Sequence, residues 1–224
     1  MARRTKREAL ETRERLLDAG ETVFRRRGVT RTSLAEIATA AGVTRGAVYW
    51  HFKDKAALFQ AMCDRATLPL DALFERAGET ASTEPLRTLR GLCVSALQRL
   101  ATDARTQAVF EVIFHKTEMV DELAGAATSH QDERCRCLSQ IEAIILRCAE
   151  AGELPHDIDA ALAAHGLNAL MVGIMHQWVL DPSAYDLASA APALIDTFLA
   201  GLVAHPPRRA SRAMPRVRAK MTVA

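Results

Sequence analysis

The side chains best suited to recognising another molecule lie close together in the segment RGAVYWH, residues 45–51. Basic or aromatic side chains occupy four of its seven positions: Arg45, Tyr49, Trp50 and His51. Two other positions, Gly46 and Ala47, are small, so the backbone at the start of such a helix can approach a surface closely. This composition predicts a helix that enters the major groove of DNA with its first turn at the base edges. The alternative, an ordinary helical hairpin in a protein core, does not explain so many surface-type side chains.

The residues before this segment predict the helix and the turn that position it. Ser33 and Glu36 have the spacing of a capping box, in which each residue bonds the backbone N–H of the other at the start of a helix. Gly42 stands where a helix end needs a residue that tolerates positive φ, and Thr44 can cap the helix that follows. Two short helices joined in this way predict a helix-turn-helix.

The same residues resemble a known family. The run GVTRGAVYWHFKDKAAL is similar to the recognition helix and the following helix start of TetR-family repressors. The opening MARRTK, the loop GVTRTSLAEIA and the later TDAR and FHK resemble the subgroup that represses multidrug efflux pumps, of the AcrR and TtgR kind. The resemblance is strong over residues 3–62 and patchy to about residue 185, and the last twenty residues resemble nothing in the family.

The resemblance implies an all-α fold of about nine helices in three parts. Residues 1–54 are expected to form a basic arm and a three-helix DNA-binding domain with the helix-turn-helix. Residues 55–205 are expected to form a helical ligand-binding and dimerisation domain, whose first helix links the two domains and contains Pro69, a predicted kink. Residues 206–224 hold six basic and no acidic side chains and are predicted to be disordered.

The predicted DNA contacts combine the recognition segment with the residues that flank it. By the resemblance, Lys55 and the backbone amides around it hold a phosphate. The full set of predicted contacts is Thr32, Ser33, Thr44, Arg45, Gly46, Ala47, Tyr49, Trp50, His51 and Lys55.

Charge is distributed very unevenly along the chain, although the net charge is only +2. Residues 1–60 hold 13 basic and 7 acidic side chains, whereas residues 61–205 hold 10 basic and 20 acidic ones. A basic N-terminal part on an acidic body favours nucleic acid as the partner of that part. The N-terminus lacks the apolar core of a signal peptide and no uninterrupted run of 18 apolar residues exists, so we expect a cytoplasmic protein with no membrane segment.

Catalysis, cofactors and metals are not expected. The sequence has no G-x-S-x-G, no glycine-rich phosphate loop and no cluster of metal ligands. The odd number of cysteines, five, is typical of reduced thiols in a cytosolic protein. Cys135 and Cys137 are two residues apart, and on a helix they point to different faces, so they are poorly placed to chelate a metal.

The body is predicted to hold an apolar ligand cavity and a dimer interface. Its longest predicted helix runs from about residue 119 to 151, and its last two, about 159–180 and 191–204, correspond to the helices that pair between two copies in the TetR family. Positions facing the bundle interior are the candidate ligand contacts, with plain core packing as the alternative for each. They are Leu92, Ala96, Phe110, Phe114, Cys137, Ile141, Asn168, Met171, Val172 and Met175.

These expectations combine into one functional hypothesis with alternatives. The hypothesis is a dimeric repressor of a multidrug efflux operon that binds a palindromic operator and releases it when a hydrophobic effector enters the body. A TetR-family regulator of metabolic genes, a non-specific DNA-binding protein and a small-molecule enzyme are the alternatives.

Overall fold

The computed structural model describes residues 6–66, 84–117 and 124–209, with side chains in the last range described from residue 135 onward. These residues form nine helices and, outside the helices, a single isolated β-bridge. The helices are α1 (Lys6–Arg27), α2 (Leu34–Ala40), α3 (Arg45–His51), α4 (residues 55–66), α5 (Pro85–Thr102), α6 (Ala104–His115), α7 (Ala124–Glu150), α8 (Ala160–Leu180) and α9 (Leu187–Ala204). The predicted all-α class is confirmed.

Local capping signals begin and end the short helices as the sequence predicts. The Glu36 backbone N–H donates to the Ser33 hydroxyl at 3.3 Å, and the Ser33 backbone N–H donates to the Glu36 carboxylate at 2.8 Å. Gly42 ends this helix with φ of 65°. The Ala47 N–H then donates to the Thr44 hydroxyl at 3.3 Å, which fixes the start of α3. The predicted helix-turn-helix is therefore present.

The N-terminal unit, made of α1, α2, α3 and α4, has a core of its own. Phe24 of α1 and Phe59 of α4 are both buried, and their rings meet edge to face with centroids 6.1 Å apart. Val48 is the one buried residue of α3 and anchors that helix to the core. Leu10, near the start of α1, is 56% exposed, whereas Leu16 and Leu17 of the same helix are fully buried.

The body, made of α5 to α9, surrounds a second core. α5 packs against α7 and α9, and α8 packs against α6 and α7. Buried Leu, Ile and Ala side chains from these helices fill the interior, with Trp178 donating from its indole N–H to the Tyr185 carbonyl at 3.1 Å. The helix predicted over residues 119–151 is described from Ala124 to Glu150, and Gly152, with φ of 76°, follows its end.

The last helix begins earlier than predicted. Asp186 caps it and it starts at Leu187, so Pro192 lies inside the helix, where a sequence argument would place a helix start. Pro192 has no N–H to give to the Ala188 carbonyl one turn earlier. The Gln98 side chain of α5 donates to that carbonyl at 3.2 Å, so the lost backbone bond is replaced from a neighbouring helix.

The start of the predicted disordered tail is ordered. The Asp159 N–H donates to the Pro207 carbonyl at 2.8 Å, and the Arg209 N–H donates to the Asp157 carbonyl at 3.0 Å. These bonds attach residues 206–209 to the turn between α7 and α8. The basic arm was predicted over residues 2–7, but Lys6 and Arg7 already belong to α1. Residues 1–5, residues 210–224 and the predicted kink at Pro69 lie outside the described residues.

One described helix, α9, has the length and mean hydropathy, 1.7, of a membrane span, although polar residues such as Asp196 interrupt its apolar sequence. Only 28% of it is buried within the chain. Its Asp196 pairs with Arg90 of α5 at 2.8 Å, and its face containing Ile195 and Leu199 packs in the body core. α9 is thus a core helix of the body with an uncovered apolar face.

Among the described residues, α6 joins the two parts of the molecule. Val109 and Val112 of this helix are fully buried in the core of the N-terminal unit. The Val29 N–H donates to the Lys116 carbonyl at 2.9 Å, and Arg25 pairs with Glu111 at 2.7 Å. This joint holds the N-terminal unit against the body.

Close approach of α1 and α4 depends on Gly20. A Cβ at this position would lie 2.7 Å from the Leu58 Cδ2, and Leu58 is fully buried. We expect Gly20→Ala to lower the free energy of unfolding by about 1–2 kcal/mol, because overpacking outweighs the better helix propensity of Ala. Gly91→Ala is the matched control, since nothing lies within 4 Å of its added Cβ, and it should stabilise by up to about 1 kcal/mol. Urea unfolding at one protein concentration measures both; stabilisation of similar size in the two variants would contradict the packing argument.

Candidate nucleic-acid interface

Helix α3 presents its polar and aromatic side chains to solvent. Trp50 is 72% exposed and Tyr49 is 47% exposed. The Arg45 guanidinium donates to the Tyr49 hydroxyl at 3.3 Å and lies 5.5 Å from the centre of its ring. These contacts hold two side chains of the recognition helix in one defined arrangement, which lowers the entropy lost when they bind a partner.

A groove of about 710 Å³ lies beside α3, between the starts of α2 and α4. It is lined by Thr30, Arg31, Thr32, Ser33, Leu34, Ala35, Arg45, Tyr49, Lys53, Asp54, Lys55 and Ala56. Four of these residues are cationic and one is acidic. The acidic residue, Asp54, accepts from the Ala57 N–H at 2.7 Å as the cap of α4. The groove therefore suits a polyanion such as a phosphate backbone.

The flanking residues are fixed by hydrogen bonds to the backbone. The Lys55 ammonium donates to the Thr30 carbonyl at 3.0 Å, which orients it in the groove. The Ser33 backbone and hydroxyl donate to Glu36, and these bonds, with help from Arg27, lower the pKa of the Glu36 carboxyl. Glu36 is therefore charged at neutral pH and holds the cap of α2 in place.

Two predicted contacts, Thr32 and His51, are less exposed than Tyr49 and Trp50. Thr32 is only 3% exposed and its hydroxyl donates to the Gly28 carbonyl at 2.8 Å, so its side chain closes the turn after α1 and is not available to DNA. Gly28 itself has φ of 82°, so the chain turns sharply there. His51 is half-buried, with its ring edge to face against Trp50 at 4.6 Å between centroids. Its predicted DNA contact remains a prediction.

The structure also brings residues to the groove that the predicted set omitted. Arg31 and Lys53 line it, and both are exposed. Their signal was present in the sequence as basic residues one or two positions from Thr32 and Lys55. Their spacing in the sequence did not predict that both line the same groove, because Arg31 lies between α1 and α2 whereas Lys53 lies between α3 and α4.

The candidate ligand contacts belong to the body core and its edge, with one exception. Ala96, Ile141 and Met175 are buried, and most of the others are half-buried against the same core. Val172 was predicted to face the interior but is 43% exposed, because α8 turns that position outward. Asn168 is half-buried. A ligand cavity among these residues remains a prediction.

The described cysteines and acidic residues give no indication of metal or thiol chemistry. Within the part of the chain that the structure describes, no three His, Cys, Asp or Glu side chains are grouped so as to hold a metal ion. Burial raises the pKa of the Cys93 and Cys148 thiols to about 12, so both are protonated at neutral pH. Cys135 is exposed and Cys137 half-buried, consistent with their lying on different faces of α7.

Comparison with known proteins identifies the family. A family model described as bacterial regulatory proteins, tetR family, matches residues 16–62. A second model, the C-terminal region of MAATS-type transcriptional repressors, matches residues 84–203, which is more than half of the chain. The chain belongs to the TetR family. The family resemblance predicted from the helix-turn-helix segment is therefore confirmed.

Individual TetR-family proteins are similar over most of this chain. The HTH-type transcriptional regulator TtgR of Pseudomonas putida is 38% identical over 89% of this chain and 95% of its own length. The crystal structure of NalD, the secondary repressor of the MexAB-OprM multidrug efflux pump in Pseudomonas aeruginosa, has a TM-score of 0.79 and 34% identity, covering 88% of this chain and 98% of NalD. The structure of SmeT in complex with triclosan has a TM-score of 0.78 and 31% identity, and the match covers 85% of this chain and 91% of SmeT. SmeT is the repressor of the Stenotrophomonas maltophilia multidrug efflux pump SmeDEF.

Proposed function

We propose that this protein is a dimeric transcriptional repressor of a multidrug efflux operon, acting in the cytoplasm and released from its operator by a hydrophobic effector. The observation that carries the proposal is the cationic groove beside α3, with Arg45 and Tyr49 exposed and fixed on the recognition helix. Its setting is a chain that is similar over its length to repressors of efflux pumps. TetR-family repressors bind operators and small-molecule effectors as dimers.

The division of labour on DNA follows from where each side chain lies. Arg45 and Tyr49 project from α3, so they are assigned to base edges in the major groove. Lys55, Lys53 and Arg31 line the groove beside α3 and are assigned to phosphates on either side of it. Gly46 and Ala47 at the start of α3 leave room for the backbone to approach the base pairs.

Two copies are proposed to pair through α8 and α9. Both helices have apolar side chains that the single chain leaves exposed, and those of α8 recur on one face. They are Leu162, Val172 and Leu180 on α8 and Val203 on α9. Small exposed residues, among them Ala169 and Ala200, let the helices of a second copy come close. Pairing around a two-fold axis places two recognition helices in successive major grooves of a palindromic operator.

Release by an effector requires only that the ligand prefers one arrangement of the two recognition helices. A preference of about 3 kcal/mol shifts such an equilibrium by roughly two decades. Phe110 and Phe114, with ring centroids 5.6 Å apart, and Met171 are apolar side chains at the edge of the body core. Such side chains suit hydrophobic ligands, and SmeT, a relative, has been solved with triclosan.

A gel-shift titration on the DNA upstream of the protein's own gene tests the proposal. We expect a specific complex that survives excess random DNA and that is lost as triclosan, or another hydrophobic pump substrate, is added. Absence of any specific complex would refute the repressor assignment. A specific complex that no hydrophobic compound disturbs would refute the effector assignment alone.

The assigned roles of the DNA contacts can be separated by mutation. We expect Arg45→Ala and Tyr49→Ala to weaken operator binding between about fivefold and 150-fold with little change on random DNA, because base contacts are worth about 1–3 kcal/mol. Lys55→Ala should weaken binding to both DNAs alike and lower the slope of log K against log salt by about one unit. Arg87→Ala, on the exposed end of α5, is the control and should change neither. Fluorescence anisotropy at several salt concentrations measures all four; equal losses on both DNAs for Arg45→Ala and Lys55→Ala would contradict the assignment.

The dimer interface has a matched pair of substitutions. Val172→Glu places a carboxylate on the exposed apolar face of α8. Pairing around a two-fold axis would bury one such carboxylate from each copy with no cation beside it, so we expect monomers and loss of operator binding. Leu10→Glu introduces the same charge at an exposed apolar position of α1 and should leave the dimer intact. Sedimentation velocity measures the assembly state, with circular dichroism as the check on folding. A folded Val172→Glu protein that remains dimeric would exclude this face.

A further inference from the structure

A second cationic cleft lies at the joint between the N-terminal unit and the body. Its volume is about 290 Å³, and it is formed by the end of α1, the turn that follows, and the end of α6. The lining residues are Arg26, Arg27, Gly28, Thr30, Arg31, His115, Lys116 and Thr117. Four of them carry a permanent positive charge, and none of them is a carboxylate.

Most of this charge is not compensated within the described part of the chain. Arg27 pairs with Glu36 at the edge of the cleft. The neighbouring carboxylate on α6, Glu111, is held by Arg25. Among described residues, no carboxylate lies within 4.0 Å of the charged groups of Arg26, Arg31 or Lys116. Three cations around one concavity repel one another and create a positive potential that attracts anions.

Two lining residues also hold buried polar atoms in need of a partner. The Nε2 of His115 and the hydroxyl oxygen of Thr30 are buried, and neither has a hydrogen-bond partner among the described residues. The His115 ring is held in place by the ring of His176, at 4.8 Å between centroids. Buried polar atoms are normally hydrogen-bonded, so the cleft wall at Thr30 and His115 has hydrogen-bonding capacity that the described part of the chain does not use.

We propose that this cleft is a binding site for a small phosphate-type anion. Guanidinium groups match the oxygens of a phosphate with paired hydrogen bonds, and Lys116 adds a compact charge from the other side. A volume near the lower end of ligand pockets favours a compact anion over a drug-sized molecule. Because Arg26 and Arg31 belong to the N-terminal unit and Lys116 to the body, the bound anion bridges the two.

The same chemistry has two possible sources, a free anion and an operator phosphate. Thr30 and Arg31 line both this cleft and the groove beside α3, so a DNA phosphate is the competing source. The remaining cations, Arg26, Arg27 and Lys116, line only the cleft at the joint, and of these Arg27 is paired with Glu36. Binding of a free anion does not require the function proposed above, so the two proposals can fail separately.

Isothermal titration with pyrophosphate, in a chloride buffer of fixed ionic strength and without DNA, tests the site on the full chain. We expect saturable binding of one anion per chain, weakened about tenfold or more by Arg26→Gln or by Lys116→Gln, because each removes a charge-assisted hydrogen bond. Arg87→Gln removes an exposed arginine from the far end of the body and should bind as the unaltered protein does. The joint survives Lys116→Gln because Val29 bonds the Lys116 carbonyl, which the substitution retains.

Three outcomes would overturn the proposal. The first is a titration in which pyrophosphate releases no more heat than chloride does at the same ionic strength. The second is a loss of pyrophosphate affinity in Arg87→Gln equal to that in the cleft variants, which would mean that the anion responds only to the overall charge of the protein. The third is unchanged pyrophosphate binding with weakened operator binding in Lys116→Gln, which would assign the cleft to an operator phosphate. Should Arg26→Gln or Lys116→Gln unfold, Arg26→Lys and Lys116→Arg replace them. Each of these substitutions keeps the positive charge. Arg26→Lys should still weaken pyrophosphate binding, because an ammonium cannot make the paired hydrogen bonds of a guanidinium, whereas Lys116→Arg should leave pyrophosphate binding intact.

Discussion

The burial of α6 in two cores is the interaction on which the rest of the molecule depends. Val109 and Val112 lie on the face of α6 that completes the core of the N-terminal unit, while the same helix packs against α8 of the body. Each fully buried valine is worth roughly 1.5–3 kcal/mol, so separating the two parts is costly. The bond from the Val29 N–H to the Lys116 carbonyl adds a fixed point at the end of the helix. Any displacement of α6 within the body must therefore move the N-terminal unit with it.

This constraint explains how a short recognition helix can be positioned accurately. α3 has seven residues and only one buried side chain, Val48, so it has little packing of its own. Its placement comes from caps at both helix starts, from the positive φ of Gly42, and from the bond between Lys55 and Thr30, which links α4 to the turn before α2. The recognition residues are thus held by backbone geometry, which leaves their side chains exposed for a partner.

Much of this arrangement could be predicted from the sequence because its causes are local. Ser33 with Glu36, Asp54 and Asp103 each bond an N–H within three residues, so their helix starts can be recognised without knowing the fold. The inward turn of Thr32 could not be foreseen in this way, because it depends on the direction of the Gly28 carbonyl. The groove residues Arg31 and Lys53 were missed for a related reason: they come together only after three helices are packed.

The body was harder to predict because its decisive contacts join distant parts of the chain. Pro192 favours a helix start in the sequence, but in the structure it lies inside α9. The Ala188 carbonyl, which Pro192 cannot bond, accepts instead from the side chain of Gln98, a residue more than ninety positions before Pro192. Val172 was assigned to the interior because an apolar helix such as α8 has no clear polar face in its sequence, and only packing decides which side is covered. The exposed side is informative in its own right. An apolar face left open on α8 and α9 favours the proposed pairing with a second copy. In a dimer paired in that way, the separation of the two recognition helices would depend on how α6 is held in each copy.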